Sequence, residues 1–527
     1  MEILKKKNNM DKIKSIVEKN KKSITWIAFS LILVIALFSR LYKIGSIPYG
    51  MHIDEAGMGY DAFCLATNGT DRWLNRYPVY LINFGRGQSA LLAYLASIFV
   101  RIVGLNTISI RIPTLILSVM AIIEAYFLVN KEKGNRQALL YMFLITIMPW
   151  HIMASRWGLD CNLLAPMLMT SVFALMNAKN YKGYILAGIT FGITLYSYAL
   201  SYLILPIFLF IQLIYMLRTE KIKFKQIIVL GIPIFCLAIP LFLMILVNKG
   251  VIGEIHSFIS ICKLPKFAGS EISLLNIKEN LSYYKTIFTH DLMEYNATSK
   301  WGTVYLILVP FIVFGFFMEL SNFINNIKNK KFDIGSVFLI QFIAVYSVML
   351  IIKEPNIDKG NALFMPLIYF AVPALKVLHD NYKISFYAVM LITLLCFIKF
   401  ELYYFGDFSK DTRYVSMFET DYVDAIRYVV ENDEYDDNDV YVFSNSIETY
   451  IYPLFIEKTS PQYFNETYVK GDNPFNSYGR YKFFDSSYND NAVYIVLFND
   501  EWVNEMCEKG FKIDNKFVSG TYRVLYK

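Results

Sequence analysis

Ser23-Ile-Thr-Trp-Ile-Ala-Phe-Ser-Leu-Ile-Leu-Val-Ile-Ala-Leu-Phe-Ser-Arg-Leu41 carries no charge until Arg40. As a helix it spans ~30 Å, the thickness of a bilayer's hydrocarbon core. Residues 1–22 ahead of it hold eight lysines and read as a cytoplasmic basic tail. No small-residue cleavage pattern follows, so the run is expected to be a retained first membrane helix rather than a removed signal. Comparable apolar runs recur at 111–129, 137–151, 162–178, 184–199, 200–217, 226–248, 303–319, 334–352, 361–379 and 384–402. The block at 184–217 is read as two helices with a turn near Tyr196-Ser-Tyr198 and Ser201-Tyr202. The expected fold class is therefore a polytopic α-helical membrane protein with about 11 transmembrane helices.

Composition agrees. Of 527 residues, 55% are hydrophobic and 18% charged, too few charges for a soluble chain of this length. Six scattered cysteines form no CxxC pair and no metal-ligand spacing. The formal charge of +7 is unevenly spread. Basic residues collect in breaks between the runs, at Lys131/Lys133/Arg136, Lys179/Lys182, Arg218/Lys221/Lys223/Lys225, Lys328/Lys330/Lys331 and Lys376/Lys383, whereas the C-terminal stretch is acidic, as at Glu431-Asn-Asp-Glu-Tyr-Asp-Asp437. This asymmetry argues for sidedness across a membrane and against a nucleic-acid partner. Basic breaks belong in the cytoplasm. With eleven spans they alternate consistently, giving a cytoplasmic N-terminus, a multi-pass domain over 23–402 with external loops 43–110 and 249–302, and an extracytoplasmic segment over 403–527. That last segment has the composition of a small soluble α/β domain. Asp421–Glu431 and Glu501–Lys509 have helical spacing, and Val440–Phe443, Ala492–Phe498, Phe511–Val518 and Tyr522–Tyr526 read as strands.

Just beyond the first run comes Ile47-Pro-Tyr-Gly-Met-His-Ile-Asp-Glu-Ala56. Asp54 sits near the start of an expected helix that stops at Asn68-Gly69, where the helix dipole favours an ionised carboxylate. Asp61 falls on the same helical face and Glu55 points elsewhere. The residues alone leave two readings open: a solvated capping pair, or a base or metal ligand. Four further polar clusters share this side. In Ser155-Arg-Trp-Gly-Leu-Asp-Cys-Asn162, the residues Arg156, Asp160 and Asn162 lie at the membrane edge, either as a tether between Arg156 and Asp160 or as contacts to a substrate. Arg86, in Asn83-Phe-Gly-Arg-Gly-Gln88, suits a phosphate oxygen pair or an anionic headgroup. Lys353, Lys359 and Asn361 mark a polar loop that either holds a phosphate or is an ordinary connection. His290, Asp291, Glu294, Asn296 and Trp301 occur in the long loop 249–302, with no metal signature.

The order of these elements resembles the GT-C superfamily of membrane glycosyltransferases, in the branch of protein O-mannosyltransferases and aminoarabinose transferases. The likeness rests on the Asp54-Glu55 pair, the Gly/Arg segment at 85–88, Gly104…Arg111-Ile-Pro113, Arg156-x-x-x-Asp160 and the C-terminal domain. It implies transfer of a sugar from a polyprenyl-phosphate-linked donor to an acceptor hydroxyl on a glycan, glycolipid or protein, at the outer face of the bilayer and with inversion. Asp54 would be the general base or a metal ligand, with Glu55 and Asp160 as further acidic groups. Arg86, Arg156, Asn162, Lys353, Lys359 and Asn361 would contact substrate. A divalent metal ion held by Asp54 and Asp160 is the one cofactor this family allows for. Some relatives carry a basic residue in a Lys-Pro-Pro setting where this chain has Gly85-Arg86-Gly87-Gln88.

Two other classes compete. A transporter or flippase of lipid-linked saccharides would need polar residues near the midplane and broken helices related by repeats, whereas the polar residues here gather at span ends. A non-catalytic membrane scaffold would depend wholly on residues 407–527. The Lys-, Ile- and Asn-rich usage suggests a bacterial chain, in which Asn68-Gly-Thr70, Asn280-Leu-Ser282, Asn296-Ala-Thr298 and Asn465-Glu-Thr467 are chance sequons.

Overall fold

Residues 2–267, 272–288, 295–298, 300–408, 411–469 and 476–527 are described by a computed structural model. His290, Asp291 and Glu294 lie outside them. The first apolar run ends a long helix, α1 (Glu2–Leu41). A segment with little regular structure then leads to α2 (Ile53–Asn68), which stops where Gly69 takes a left-handed φ of 69°. A short hairpin follows, β1 (Tyr80–Asn83) and β2 (Arg86–Ser89), pairing Tyr80 with Ser89 and Asn83 with Arg86. Its two turn residues both have positive φ, 48° at Phe84 and 73° at Gly85, the backbone that matches a two-residue hairpin turn to strand twist. The amphipathic α3 (Leu91–Val103) leads into α4 (Thr107–Lys133), where Asn106 and Ser109 form a reciprocal capping box.

Next come α5 (Asn135–Ile147), α6 (Pro149–Ala154), α7 (Cys161–Asn177), α8 (Tyr181–Thr194), α9 (Ser201–Arg218) and α10 (Phe224–Asn248). A loop follows with the strand pair β3 (Ile255–His256) and β4 (Ser260–Ile261) and the short helices α11 (Asn276–Asn280) and α12 (Tyr283–Phe288). Four long helices complete the bundle: α13 (Val309–Lys328), α14 (Ile334–Ile351), α15 (Phe364–Asn381) and α16 (Lys383–Tyr404).

The chain is a multi-pass membrane protein. Among the described residues, eight helices are long and apolar enough to cross a bilayer, against the eleven runs expected. The difference lies in α5, α7 and α8, with 13, 17 and 14 residues. At 1.5 Å per residue α5 reaches only ~20 Å. It is cut at Met148 because Pro149 has no N–H to continue the helix. Many side chains on α5 and α7 are buried by neighbouring helices, so these two need not match the bilayer thickness. The expected turn within 184–217 falls between α8 and α9, at residues 195–200.

Past α16 the chain forms α17 (Thr412–Met417), α18 (Thr420–Val430), β5 (Asp439–Phe443), α19 (Ile451–Glu457), α20 (Pro461–Thr467), β6 (Ser477–Tyr478), β7 (Tyr481–Phe483), β8 (Ala492–Leu497), α21 (Asp500–Glu508), β9 (Lys512–Ile513) and β10 (Tyr522–Tyr526). One sheet runs in the order β6-β7-β5-β8-β10-β9, with β5 parallel to both β7 and β8 and the outer pairs antiparallel. The expected strand at 511–518 shrinks to Lys512–Ile513, because Asp514 turns the chain by accepting from the hydroxyls of Tyr428 and Tyr435, each at 2.6 Å.

This sheet domain shares a core with the start of the chain. Met51, Ala56, Tyr60, Leu92 and Ile110 pack in one cluster with Tyr422, Ile451, Phe455 and Phe483. Gly59 permits the approach: a Cβ there would fall 2.2 Å from Ile110 Cδ1 and 2.7 Å from the Phe455 ring. Hydrogen bonds lock the seam, from Tyr452 Oη to Met51 O at 2.9 Å, Tyr414 Oη to Tyr49 O at 3.0 Å and Met51 N to Phe418 O at 2.8 Å. The domain therefore roofs the segment that carries Asp54.

Candidate functional site

His52 caps α2. Its Nδ1 accepts the Asp54 N–H at 3.2 Å, so the ring proton sits on Nε2, 3.1 Å from the Tyr295 hydroxyl. Rings of Trp157, Tyr295 and Phe418 surround the imidazole. Burial pushes the His52 pKa down, against the pull of Asp54 and Glu55, and keeps the cap neutral.

The two adjacent carboxylates part company at this cap. Asp54 stays 35% exposed, and its Oδ1 accepts from Asn83 Nδ2 at 3.0 Å. Asn83 also donates to Gln88 Oε1 at 2.7 Å, so the hairpin fixes the amide that orients Asp54. Gly57 leaves room for this: a Cβ there would stand 2.8 Å from both Asn83 Oδ1 and Arg72 Nη2. Glu55 instead is fully buried in a two-pronged pair with Arg111, at 2.8 and 3.0 Å, and accepts the Gly158 N–H at 2.8 Å. Arg111 also donates to the carbonyls of Ile44 and Pro48. Glu55 is thus a clamp on the chain around the site, with no exposed surface. Asp61 does not join Asp54; it is buried against Arg72 at 2.8 Å.

Asp160 comes from the other side. It precedes α7, accepting from Cys161 N at 2.9 Å and from Ser89 N at 3.3 Å. Burial, and then the charge of Asp54, raise its pKa to about 7. Asp54 and Asp160 are therefore within electrostatic reach, as a shared role requires. A divalent ion held by both carboxylates would need amide or water oxygens to complete its shell. Among the described residues no group of three or more His, Cys, Asp or Glu stands together as a ready cage.

Arg156 does not pair with Asp160. It is fully buried and donates to the carbonyls of Ser39, Tyr42 and Ile47 at 2.7–2.9 Å, which tethers the α1–α2 connection. Asn162 and Asn361 are also buried, in a knot with Asn296. Asn296 Nδ2 reaches Asn162 Oδ1 and Asp358 Oδ1 at 2.7 Å, Asn361 Nδ2 donates to Asn162 Oδ1 at 3.0 Å, and Trp150 and Trp157 donate into the knot at 2.7 and 2.9 Å. This knot braces the loop around 295–298 and that around 358–361 behind Asp160. Lys353 is exposed and pairs with its neighbour Glu354 at 3.5 Å; Lys359 Nζ closes its own loop on the carbonyls of Lys353 and Glu354 at 3.0 Å.

Arg86 is the exposed cation at the hairpin turn. Gly87 beside it serves packing, since a Cβ would strike the Tyr80 ring at 2.2 Å. The backbone N–H of Lys266 donates to Gly85 O at 2.8 Å, which adds a second cation from the loop after α10. The roof contributes Glu448, within electrostatic reach of Asp54, Arg86 and Lys266. Sequence reasoning missed Asn83, Lys266 and Glu448 as members of the site. Only Asn83 left a signal, standing at the head of the stretch already singled out for Arg86. The supposed sequon residues Asn280 and Asn465 prove structural, donating to the Ile352 and Arg72 carbonyls at 2.7 and 2.8 Å.

Residues 88–245 match the family described as dolichyl-phosphate-mannose-protein mannosyltransferase. No curated protein matches the sequence. Among solved structures, ArnT from Cupriavidus metallidurans in the apo state is similar with a TM-score of 0.55 and 11% identity, over 96% of this chain and 98% of that one. The same enzyme bound to undecaprenyl phosphate gives 0.54, also at 11% identity, over 95% and 98%. The Archaeoglobus fulgidus oligosaccharyltransferase in complex with Zn and sulfate gives 0.46 at 15% identity, over 81% of this chain and 61% of that one. The matched segment runs from Gln88, near the end of β2, through Asp160 to the last turn of α10, and an ArnT-like fold extends over nearly the whole chain.

Proposed function

We propose that the chain transfers a sugar from a polyprenyl-phosphate-linked donor to an acceptor hydroxyl at the outer face of a bacterial cell membrane, with its N-terminus in the cytoplasm and its sheet domain outside. The observation that carries this reading is Asp54: a partly exposed carboxylate held by His52 and Asn83 beneath a roof, with the cations Arg86 and Lys266 on the same side. In the step we infer, Asp54 takes the acceptor's O–H proton and the acceptor oxygen bonds to the anomeric carbon. The bond from that carbon to the phosphate oxygen breaks on the opposite face, so the configuration inverts. Its electron pair leaves with the lipid phosphate, toward Arg86 and Lys266, where preorganised positive charge lowers the barrier. A divalent ion, where one takes part, would be held by Asp54 and Asp160 and would add positive charge at the leaving phosphate. The acceptor is a glycan, a glycolipid or a protein.

The test is transfer of radiolabelled sugar from polyprenyl-phosphate donors to endogenous acceptors in membranes with and without the protein. In that assay Arg86→Ala is expected to raise the KM for the lipid donor roughly 10- to 100-fold, the worth of one charge-assisted hydrogen bond. Label moving into sealed vesicles with no product formed would overturn the reading in favour of transport.

A further inference from the structure

The first membrane helix stands at the edge of the bundle. Along α1, Ile24, Ile27, Leu31, Val34 and Phe38 are exposed, while Phe29, Ile32 and Ala36 pack inward. Its outer face therefore meets lipid. Near its inner end α1 is held to α4 by Phe29, whose ring lies 4.9 Å from Tyr126 and 6.2 Å from Phe127. One turn closer to the N-terminus the helices leave a cavity of about 370 Å³ between them. Lys22 and Trp26 line it from α1, Tyr126, Phe127 and Asn130 from α4, and Asn135 from the start of α5. Its size falls in the ~300–1,000 Å³ range of small-molecule sites.

The lining has an apolar part and a polar part. Trp26 and Phe127 are both exposed and continue the lipid-facing surface of α1. Lys22, Asn130 and Asn135 supply the donors. Tyr126 Oη donates to Asn135 Oδ1 at 3.1 Å, which leaves Nδ2 as the end of that amide that can donate to a ligand. The charged groups that end α4 are engaged elsewhere. Lys131 Nζ donates to Met176 O at 3.0 Å and to Asn177 Oδ1 at 3.2 Å, Lys133 pairs with Asp333, and Glu132 accepts the Ile334 N–H at 2.9 Å. Among the described residues the side chains of Lys22 and Asn130 have no such partner, and no carboxylate lines the cavity.

An ammonium and two amides beside an apolar slot, at the level where the first apolar run begins, match a phosphate joined to acyl chains. A free phosphate would leave the exposed Trp26 and Phe127 rings uncovered. A zwitterionic lipid would bring a cationic head for which the lining holds no counter-charge. Basic pockets between helices at a membrane edge suit anionic head groups. We propose that this cavity is a binding site for an anionic phospholipid, with its phosphate on Lys22, Asn130 and Asn135 and its acyl chains over Trp26 and Phe127. The topology proposed above puts that lipid in the inner leaflet, and its binding is independent of the sugar-transfer reading. Such a lipid would join α1 to α4 and α5 at the end where Phe29 otherwise holds it.

The experiment is native mass spectrometry of the full-length protein released from nanodiscs of equal phosphatidylglycerol and phosphatidylcholine. Wild-type protein is expected to keep one phosphatidylglycerol under collision energies that strip phosphatidylcholine. Lys22→Gln should weaken that retention roughly tenfold, the worth of one charge-assisted hydrogen bond. Asn130→Asp, which sets a carboxylate against the phosphate, should abolish it. Lys5→Gln removes the same charge from the basic tail and should retain the lipid as wild type does. Circular dichroism of each variant confirms that the helices are intact. Equal retention of the two lipids by wild type overturns the inference. So does an equal loss in Lys22→Gln and Lys5→Gln, which would mean diffuse attraction by the eight lysines of the tail rather than a site.

Discussion

Asp54→Asn is expected to abolish sugar transfer while leaving the protein folded and correctly inserted in the membrane. The substitution keeps the size of the side chain. Its Oδ1 can still accept from Asn83, and the backbone N–H of residue 54 can still donate to His52, so neither the cap on α2 nor the hairpin contact is lost. What disappears is the capacity to take a proton. A positioned general base contributes roughly 10²–10⁴-fold, and the loss should fall on kcat more than on the donor's KM, because Arg86 and Lys266 remain. The measurement is turnover of Asp54→Asn against wild type in the same membranes, normalised to protein amount. Transfer within a few-fold of wild type would remove Asp54 from the role of base.

The contrast between Asp54 and its neighbour marks how far the sequence could be read. The start of α2 and its stop at Gly69 follow from local rules, because capping groups and left-handed glycines act within a few residues. The hairpin was different. Nothing in Asn83–Gln88 announced that Gly85 serves the turn and Gly87 makes room for Tyr80. Arg156 looked like a partner for Asp160 because the two are four residues apart. A bend at Gly158, drawn onto Glu55, separates them, and Arg156 turns to carbonyls from α1 and the loop after it. Lys266 and Glu448 were invisible for the plainest reason. Each reaches the site only because a distant segment folds over it, and one lysine or glutamate in a polar stretch carries no periodicity that would announce this.

Glu55→Ala should have the opposite signature to Asp54→Asn: damage to the fold first, with activity lost as its consequence. Glu55 and Arg111 are both fully buried and joined by two hydrogen bonds. Deleting one partner strands the other charge in a site of low polarity, which costs about 3–5 kcal/mol. The loss would spread through two further connections. Gly158 N would lose its acceptor at the bend that sets up Asp160, and Arg111 would be left holding the Ile44 and Pro48 carbonyls without its counter-charge. Thermal unfolding in detergent should therefore show a clearly lower midpoint for Glu55→Ala, with reduced yield. Glu55→Gln should be intermediate, since it keeps one hydrogen-bond acceptor for the Arg111 guanidinium, and Asp54→Asn should stay at the wild-type midpoint. If Glu55→Ala unfolds with the wild-type midpoint, the buried pair is not what holds the α1–α2 connection against α4. If it is stable but inactive, Glu55 belongs with the chemistry after all, and the division of labour between these two adjacent carboxylates would have to be redrawn.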